Sequence, residues 1–163
     1  VTARTPGGHQ RRTTAAAALA LACALTLGAC SADATSSHEG LEVTGAYLPE
    51  PLMTDMAGGY FVIHNHGAED DRLTGVTSGI ADSVDMHRTT GGQMEQVDSL
   101  PVPAGGRLEL ARGGNHLMLH DLKRKPEEGD TVRVTLQFAH HDPVTLQVPV
   151  KATNHNPATT GHH

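Results

Sequence analysis

Cysteine is almost missing from this chain: two in 163 residues, Cys23 and Cys30, and none after them. Residues 31–163 therefore hold no thiolate and no disulfide, and a domain built there for an oxidising compartment stands on its hydrophobic core. The same absence excludes a CxxC redox motif and a thiolate zinc cluster. A blue-copper electron-transfer centre is excluded too, because it needs a cysteine thiolate beside its two histidines. Basic charge is also short, with 12 Lys and Arg against 18 Asp and Glu. Three arginines lie in residues 1–30, which hold no acid, so the remainder carries a net charge of about −9 with neutral histidine. Nucleic acid and anionic membrane surfaces are poor partners for such a chain, whereas a cationic ligand suits it.

Long apolar runs are lacking as well. The run from Ala15 to Leu27 follows Arg11 and Arg12 and is too short to span a bilayer comfortably. Its flanks are those of a secretory signal. It ends in "LGAC", small residues before Cys30, which resembles a bacterial lipobox. That resemblance implies cleavage before Cys30, lipidation of its thiol, and a mature protein anchored to the outer face of the bacterial cell membrane. The alternative is an ordinary cleaved signal peptide. The expected organisation is a signal over 1–29, a lipidated Cys30 with a flexible tether to 40, a domain over 41–151 and a disordered tail over 152–163. The tether expectation rests on the small polar stretch "SADATSSHEG". The tail "TNHNPATTGHH" has no apolar periodicity.

Between 41 and 151 the chain reads as short strands punctuated by Gly, Pro, Asn and Asp. These are "LEVTGAYLPE", "GGYFVIHNHG", "DRLTGVTS", "DSVDMHRTT", "QMEQVDSL", "RLELARGG", "NHLMLHDL", "TVRVTLQFAH" and "PVTLQVPVKA". No segment carries a convincing helical period, and this spacing of strands predicts an all-β sandwich. In "TVRVTLQF", Val132, Val134, Leu136 and Phe138 fall on one face, and Arg133, Thr135 and Gln137 on the other.

Two segments carry chemistry. In "GGNHLMLHDL" a period of two puts His116, Met118 and His120 on one face and sends Leu117 and Leu119 to the core. In "DMHRTTGGQMEQ" a hairpin turning at Gly91-Gly92 puts His87 and Met94 on one face, opposite or one diagonal apart, with Met86 toward the core. Thioethers are soft neutral ligands that favour Cu(I), and imidazole suits copper in either oxidation state. Zinc prefers thiolate, imidazole or carboxylate in a closed tetrahedron. The ordinary alternative is an alternating strand with polar residues outside and methionines filling gaps. His120 either sits near such a site or is merely exposed. His155, His162 and His163 form either a solvated tail or a Cu(II)-binding one. The pair His64 and His66 reads as a plain strand end before a weak Cu(II) site, and Met53 with Met56 as loop packing before a methionine-assisted entry path.

"AGGRLELARGGNHLMLHDL", preceded by "HRTTGGQMEQV", resembles the extracytoplasmic PCuAC-type copper chaperones. Their signature is a His near a Met, then a Met, twenty-one residues and His-x-Met. Here 21 residues separate Met94 from His116, and "HLM" completes the pattern. "GAYLPEPLMTDMAGGYFVIHNHG" and "DRLTGVTS" are similar to the family's first strands. The resemblance implies a Greek-key, cupredoxin-like β-sandwich without enzymatic activity, whose copper ligands are His87, Met94, His116 and Met118. It further implies delivery of Cu(I) to a cytochrome oxidase subunit or to its thiol-bearing assembly factor. Only six residues separate His87 from Met94, fewer than in other members, so Met86 competes with His87 for the first ligand position; strand parity favours His87. A lipoprotein that merely buffers copper, with Cu(II) in the tail, would use the same residues.

Overall fold

A computed structural model describes residues 34–38, by backbone alone, and residues 40–157. Cys30, the expected signal segment, His162 and His163 lie outside the described residues. The described chain forms eleven strands and no α-helix. In order they are β1 (Ala34–His38), β2 (Leu41–Pro49), β3 (Met56–Asn65), β4 (Asp71–Ser78), β5 (Ala81–Thr90) and β6 (Gln93–Val97). There follow β7 (Leu100–Val102), β8 (Arg107–Leu110), β9 (His116–Leu122), β10 (Thr131–Phe138) and β11 (Val144–Lys151).

Alternation builds these strands. Along β10, Val132, Val134 and Leu136 are buried while Arg133 and Gln137 face water. Phe138 packs half-buried against the same core. In β9, Leu117 and Leu119 are buried to 2% and 0% exposure. Each such leucine is worth about 2 kcal/mol buried rather than exposed. A one-residue slip would expose both and bury polar His116 and His120 instead, so the leucines fix which face His116 and Met118 occupy.

Hydrogen bonds link the strands in the order β6-β5-β9-β3-β2-β11-β10-β4-β7, with β1 on β2 and β8 on β3. One core cluster draws on both ends of that path, from Met86 and Leu117 to Leu73 and Val134, so the sheet folds over into a two-layered sandwich. Strand β2 makes the corner. Thr44 pairs with Val62 and Tyr47 with Tyr60, leaving an extra residue at a bulge where Gly45 takes φ 60°. Beyond it, Leu48 and Pro49 pair in parallel with Val150 and Lys151 of β11.

Strand β3 has two successive partners along one edge. Phe61–His64 pair with β8, and Met56–Gly59 with β9. Between β8 and β9 the chain makes a tight turn: the Ala111 N–H donates to the Asn115 carbonyl and the Gly114 N–H to the Ala111 carbonyl, both at 2.9 Å. That turn delivers His116 as the first residue of β9.

Two buried polar side chains fasten loops, and both are fully engaged. Asn65 donates to the carbonyls of Glu69 and Val102 and accepts from the Gly67 N–H, which closes β3. Asp71 accepts from the N–H groups of Arg72 and His140 and pairs with the His141 ring. Burial pushes the Asp71 carboxyl upward, but these donors outweigh it and hold the group below its ordinary value of 3.8.

Three expectations differ from the structure. "QMEQVDSL" is two strands: β6 ends at Val97, and Leu100 begins β7 at the opposite end of the sheet path, beside β4. Part of the stretch expected to be a tether is strand β1, whose small polar residues add to the edge of β2. The tail expected to be disordered from 152 is fastened over its first residues. Arg112 donates to the carbonyls of Thr153 and His155 at 2.7 and 3.1 Å, and the Thr153 hydroxyl donates to the Glu50 carbonyl.

Candidate metal centre

The site face is set by register. Across β5 and β9, Asp85 stands opposite Met118, His87 opposite His116 and Ser83 opposite His120. Across β5 and β6, Met94 stands opposite Thr89, and Gln96 opposite His87. Met56 of β3 faces His120. Residues directly opposite one another share a face, so Asp85, His87, Met94, His116, Met118, His120 and Met56 all project from one side of four adjacent strands. Met86 projects from the other side, into the core, at 5% exposure.

Met94 reaches this face through the β5–β6 turn. Thr90 pairs with Gln93, leaving the two-residue loop Gly91-Gly92 with φ 60° and 80°. Two successive positive φ values define a type I′ turn, a conformation that glycine adopts at no steric cost. Met94 sits one diagonal from His87 and is 58% exposed.

The two imidazoles are held differently. The His116 Nδ1 lies 2.9 Å from the Gly114 carbonyl, an acceptor, so it carries the proton and leaves the Nε2 lone pair free to bind an ion. Thr89 secures that carbonyl from the other side with its hydroxyl, and its N–H bonds the Asn115 side chain. The His87 ring stacks on His116, centroids 5.2 Å apart at 23°. Both its nitrogens are buried without a hydrogen-bond partner. Burial, then repulsion from His116, outweigh the pull of Asp85 and hold the His87 imidazole below its ordinary 6.5. Neutral imidazole is the form that binds a metal.

Beside this pair lies a harder set of donors. Asp85, His87 and His120 present ligand atoms that all lie within 4.8 Å of one another. The His120 Nε2 is 3.1 Å from the Asp85 carboxylate, but the two are not aligned as a hydrogen bond. Asp85 was not singled out from the sequence; its signal was there, two residues before His87 on the same alternating face.

Met118 also borders a groove of about 260 Å³, together with Met53, Met56, Tyr60 and Arg112. Three of the five methionines thus meet along one groove. Three other described histidines lie elsewhere in contacts of their own. His155 packs edge-on against Tyr47 at 4.9 Å. His64 and His66 stack at 6.0 Å, with His66 paired to Glu42.

The imidazoles and thioethers on this face are neutral and soft, a donor set that fits Cu(I) and that zinc does not favour. Comparison with known proteins agrees with that chemistry. Residues 41–150 match the family of LpqE-like lipoproteins. The lipoprotein Lxx21020 of Leifsonia xyli subsp. xyli is 32% identical over 148 residues, covering 86% of this chain and 89% of its own length. The copper-bound PCuAC domain from PmoF2 superposes with a TM-score of 0.66 at 27% identity, covering 72% of this chain and 97% of that domain. The solution structure of Cu(I)-bound DR1885 from Deinococcus radiodurans does so with a TM-score of 0.59 at 29% identity, covering 67% and 76%. The expected PCuAC-type kinship and cupredoxin-like sandwich are borne out.

Proposed function

Because the chain belongs to the LpqE-like lipoprotein family and folds as copper-bound PCuAC domains do, we propose that it is a lipid-anchored, extracytoplasmic copper carrier. It takes Cu(I) between His87, Met94, His116 and Met118, and Cys30 carries the anchor. The observation that carries this reading is the pairing of His87 with His116 across β5 and β9. One ring has its free nitrogen fixed by the Gly114 carbonyl, and the other has two buried nitrogens with no protein partner. Leaving buried nitrogens unbonded costs about 1–3 kcal/mol, and binding an ion would recover it.

A carrier must also let its cargo go. All four proposed ligands are neutral, and Met94 stands exposed on an edge hairpin. An acceptor's thiolates can displace the thioethers one at a time, because thiolate is the stronger ligand for Cu(I) and copper keeps its oxidation state. A thiol-bearing assembly factor of cytochrome oxidase, or the oxidase's own copper subunit, fits that role.

The test is a Cu(I) titration of the full-length chain in detergent against a chromophoric competitor. A variant combining Met94→Ala, His116→Ala and Met118→Ala is titrated beside it. One tight equivalent, lost in a variant that still folds, is the expected result; unchanged binding in that variant sinks the assignment. Mixing the copper-loaded protein with a dithiol acceptor then separates carrier from buffer: a carrier gives up its copper on mixing, and a buffer retains it.

A further inference from the structure

We propose that Asp85, His87 and His120 form a second, harder metal-binding set on the same sheet face, suited to Cu(II). It shares His87 with the His/Met set, so the protein holds Cu(I) or Cu(II) but not both together. The inference rests on the Cu(I) reading only for that sharing; the Asp–His–His set stands on its own geometry.

The donor atoms are already gathered. All three residues offer an atom within 4.8 Å of the others, and the Asp85 carboxylate and His120 Nε2 are 3.1 Å apart. Ligand atoms around a metal bound at 2.0–2.1 Å stand roughly 3 Å from one another, so that pair is at ligand spacing and a His87 nitrogen within 4.8 Å has less than about 2 Å to close. The His120 and Asp85 side chains are each 29% exposed, which leaves an approach from solvent. The His120 Nε2 is nonetheless buried and, like both His87 nitrogens, makes no hydrogen bond. Three ring nitrogens without partners around one carboxylate are more than a surface ion pair requires.

Charge and softness assign the ion. An aspartate with two neutral imidazoles brings one negative charge and N/O donors, which suit Cu(II); the His/Met set brings no charge and two thioethers, which suit Cu(I). Sheet geometry explains the sharing. Met118 stands opposite Asp85, and His116 opposite His87. The soft and hard sets are thus adjacent on the same two strands, with His87 on the border. A neutral imidazole has one nitrogen lone pair to give, so His87 serves one ion at a time.

Cu(II) titration of the full-length chain in detergent, followed by electron paramagnetic resonance, tests this. The expected result is one equivalent with nitrogen hyperfine structure. Asp85→Asn and His120→Gln should each weaken Cu(II) binding at least about ten-fold, while the Met94→Leu, Met118→Leu double variant keeps it. In the Cu(I) titration, Asp85→Asn should bind as the wild type does and the double methionine variant should not. Circular dichroism confirms that each variant is folded. Unchanged Cu(II) affinity in both Asp85→Asn and His120→Gln would overturn the proposal, by placing Cu(II) at the tail or at His64 and His66. Loss of Cu(II) in the methionine variant would also overturn it, as would Cu(II) binding undiminished after loading with Cu(I). Failure of the His/Met reading appears separately, as Cu(I) binding that the methionine variant retains.

Discussion

His87 occupies a position that a structural residue would not keep. Its two nitrogens are buried without partners, and burial holds its imidazole neutral below the ordinary 6.5. Replacing it by leucine, apolar and of similar volume, should therefore stabilise the metal-free protein by about 1 kcal/mol while abolishing tight Cu(I) binding. Urea unfolding without metal measures the first effect and competitor titration the second; a destabilised His87→Leu protein would mean that the ring has a structural partner. The pH dependence has a definite sign. Below 6.5 the unfolded chain takes up a proton at this residue before the folded one does, so the wild type loses stability as pH falls from 6.5 toward the lowered folded value. His87→Leu lacks that slope, and its advantage should widen as the solution is acidified. Strand parity alone separated His87 from Met86 in the sequence, and the register places them on opposite faces. What parity could not reveal was the Gly114 carbonyl that sets the His116 tautomer, because that contact depends on the conformation of the 111–115 turn.

The β5–β6 hairpin is the weakest element near the site and the one on which Met94 depends. Strand β6 is an edge whose residues are exposed except for a half-buried Val97, so little apolar burial holds it closed. The Gly91-Gly92 turn does much of that work. Alanine at either position costs about 1–2 kcal/mol in the left-handed region. The hairpin should open locally before the sandwich unfolds. Gly91→Ala and Gly92→Ala are thus expected to lower Cu(I) affinity up to about ten-fold while barely moving Tm. Competitor titration and amide exchange along β6 measure both sides of this; a large fall in Tm with unchanged affinity would refute it. The turn was legible because two glycines between alternating strands leave few other readings. The crossing from β6 to β7 was not, because Asp98-Ser99 joins two strands of ordinary β composition and nothing local marks a change of layer. Strand β1 escaped for the converse reason: its small polar residues form a strand only because β2 offers an open edge.

Across the whole molecule, the all-β class followed from the punctuation of the chain, but the strand order did not. The pairings that build the site, β5 with β9 and β9 with β3, join segments far apart in sequence, and no local pattern encodes them. The same non-local construction couples copper to the stability of the domain. The proposed ligands come from β5, β6 and β9, so the site exists only when those strands are assembled, and an ion that binds the folded state alone must stabilise it. With free Cu(I) held at a thousand times Kd, the stabilisation is about 4 kcal/mol. In a domain of this size that corresponds to a rise in Tm of roughly 10–15 °C. No disulfide supplements the core of residues 31–163, so the metal-free Tm from which this rise is counted should be the same in oxidising and reducing buffer. Differential scanning calorimetry under buffered Cu(I) measures the rise. The rise should vanish in the Met94→Ala, His116→Ala, Met118→Ala variant. If the variant keeps it, copper is stabilising the sandwich from somewhere other than this face.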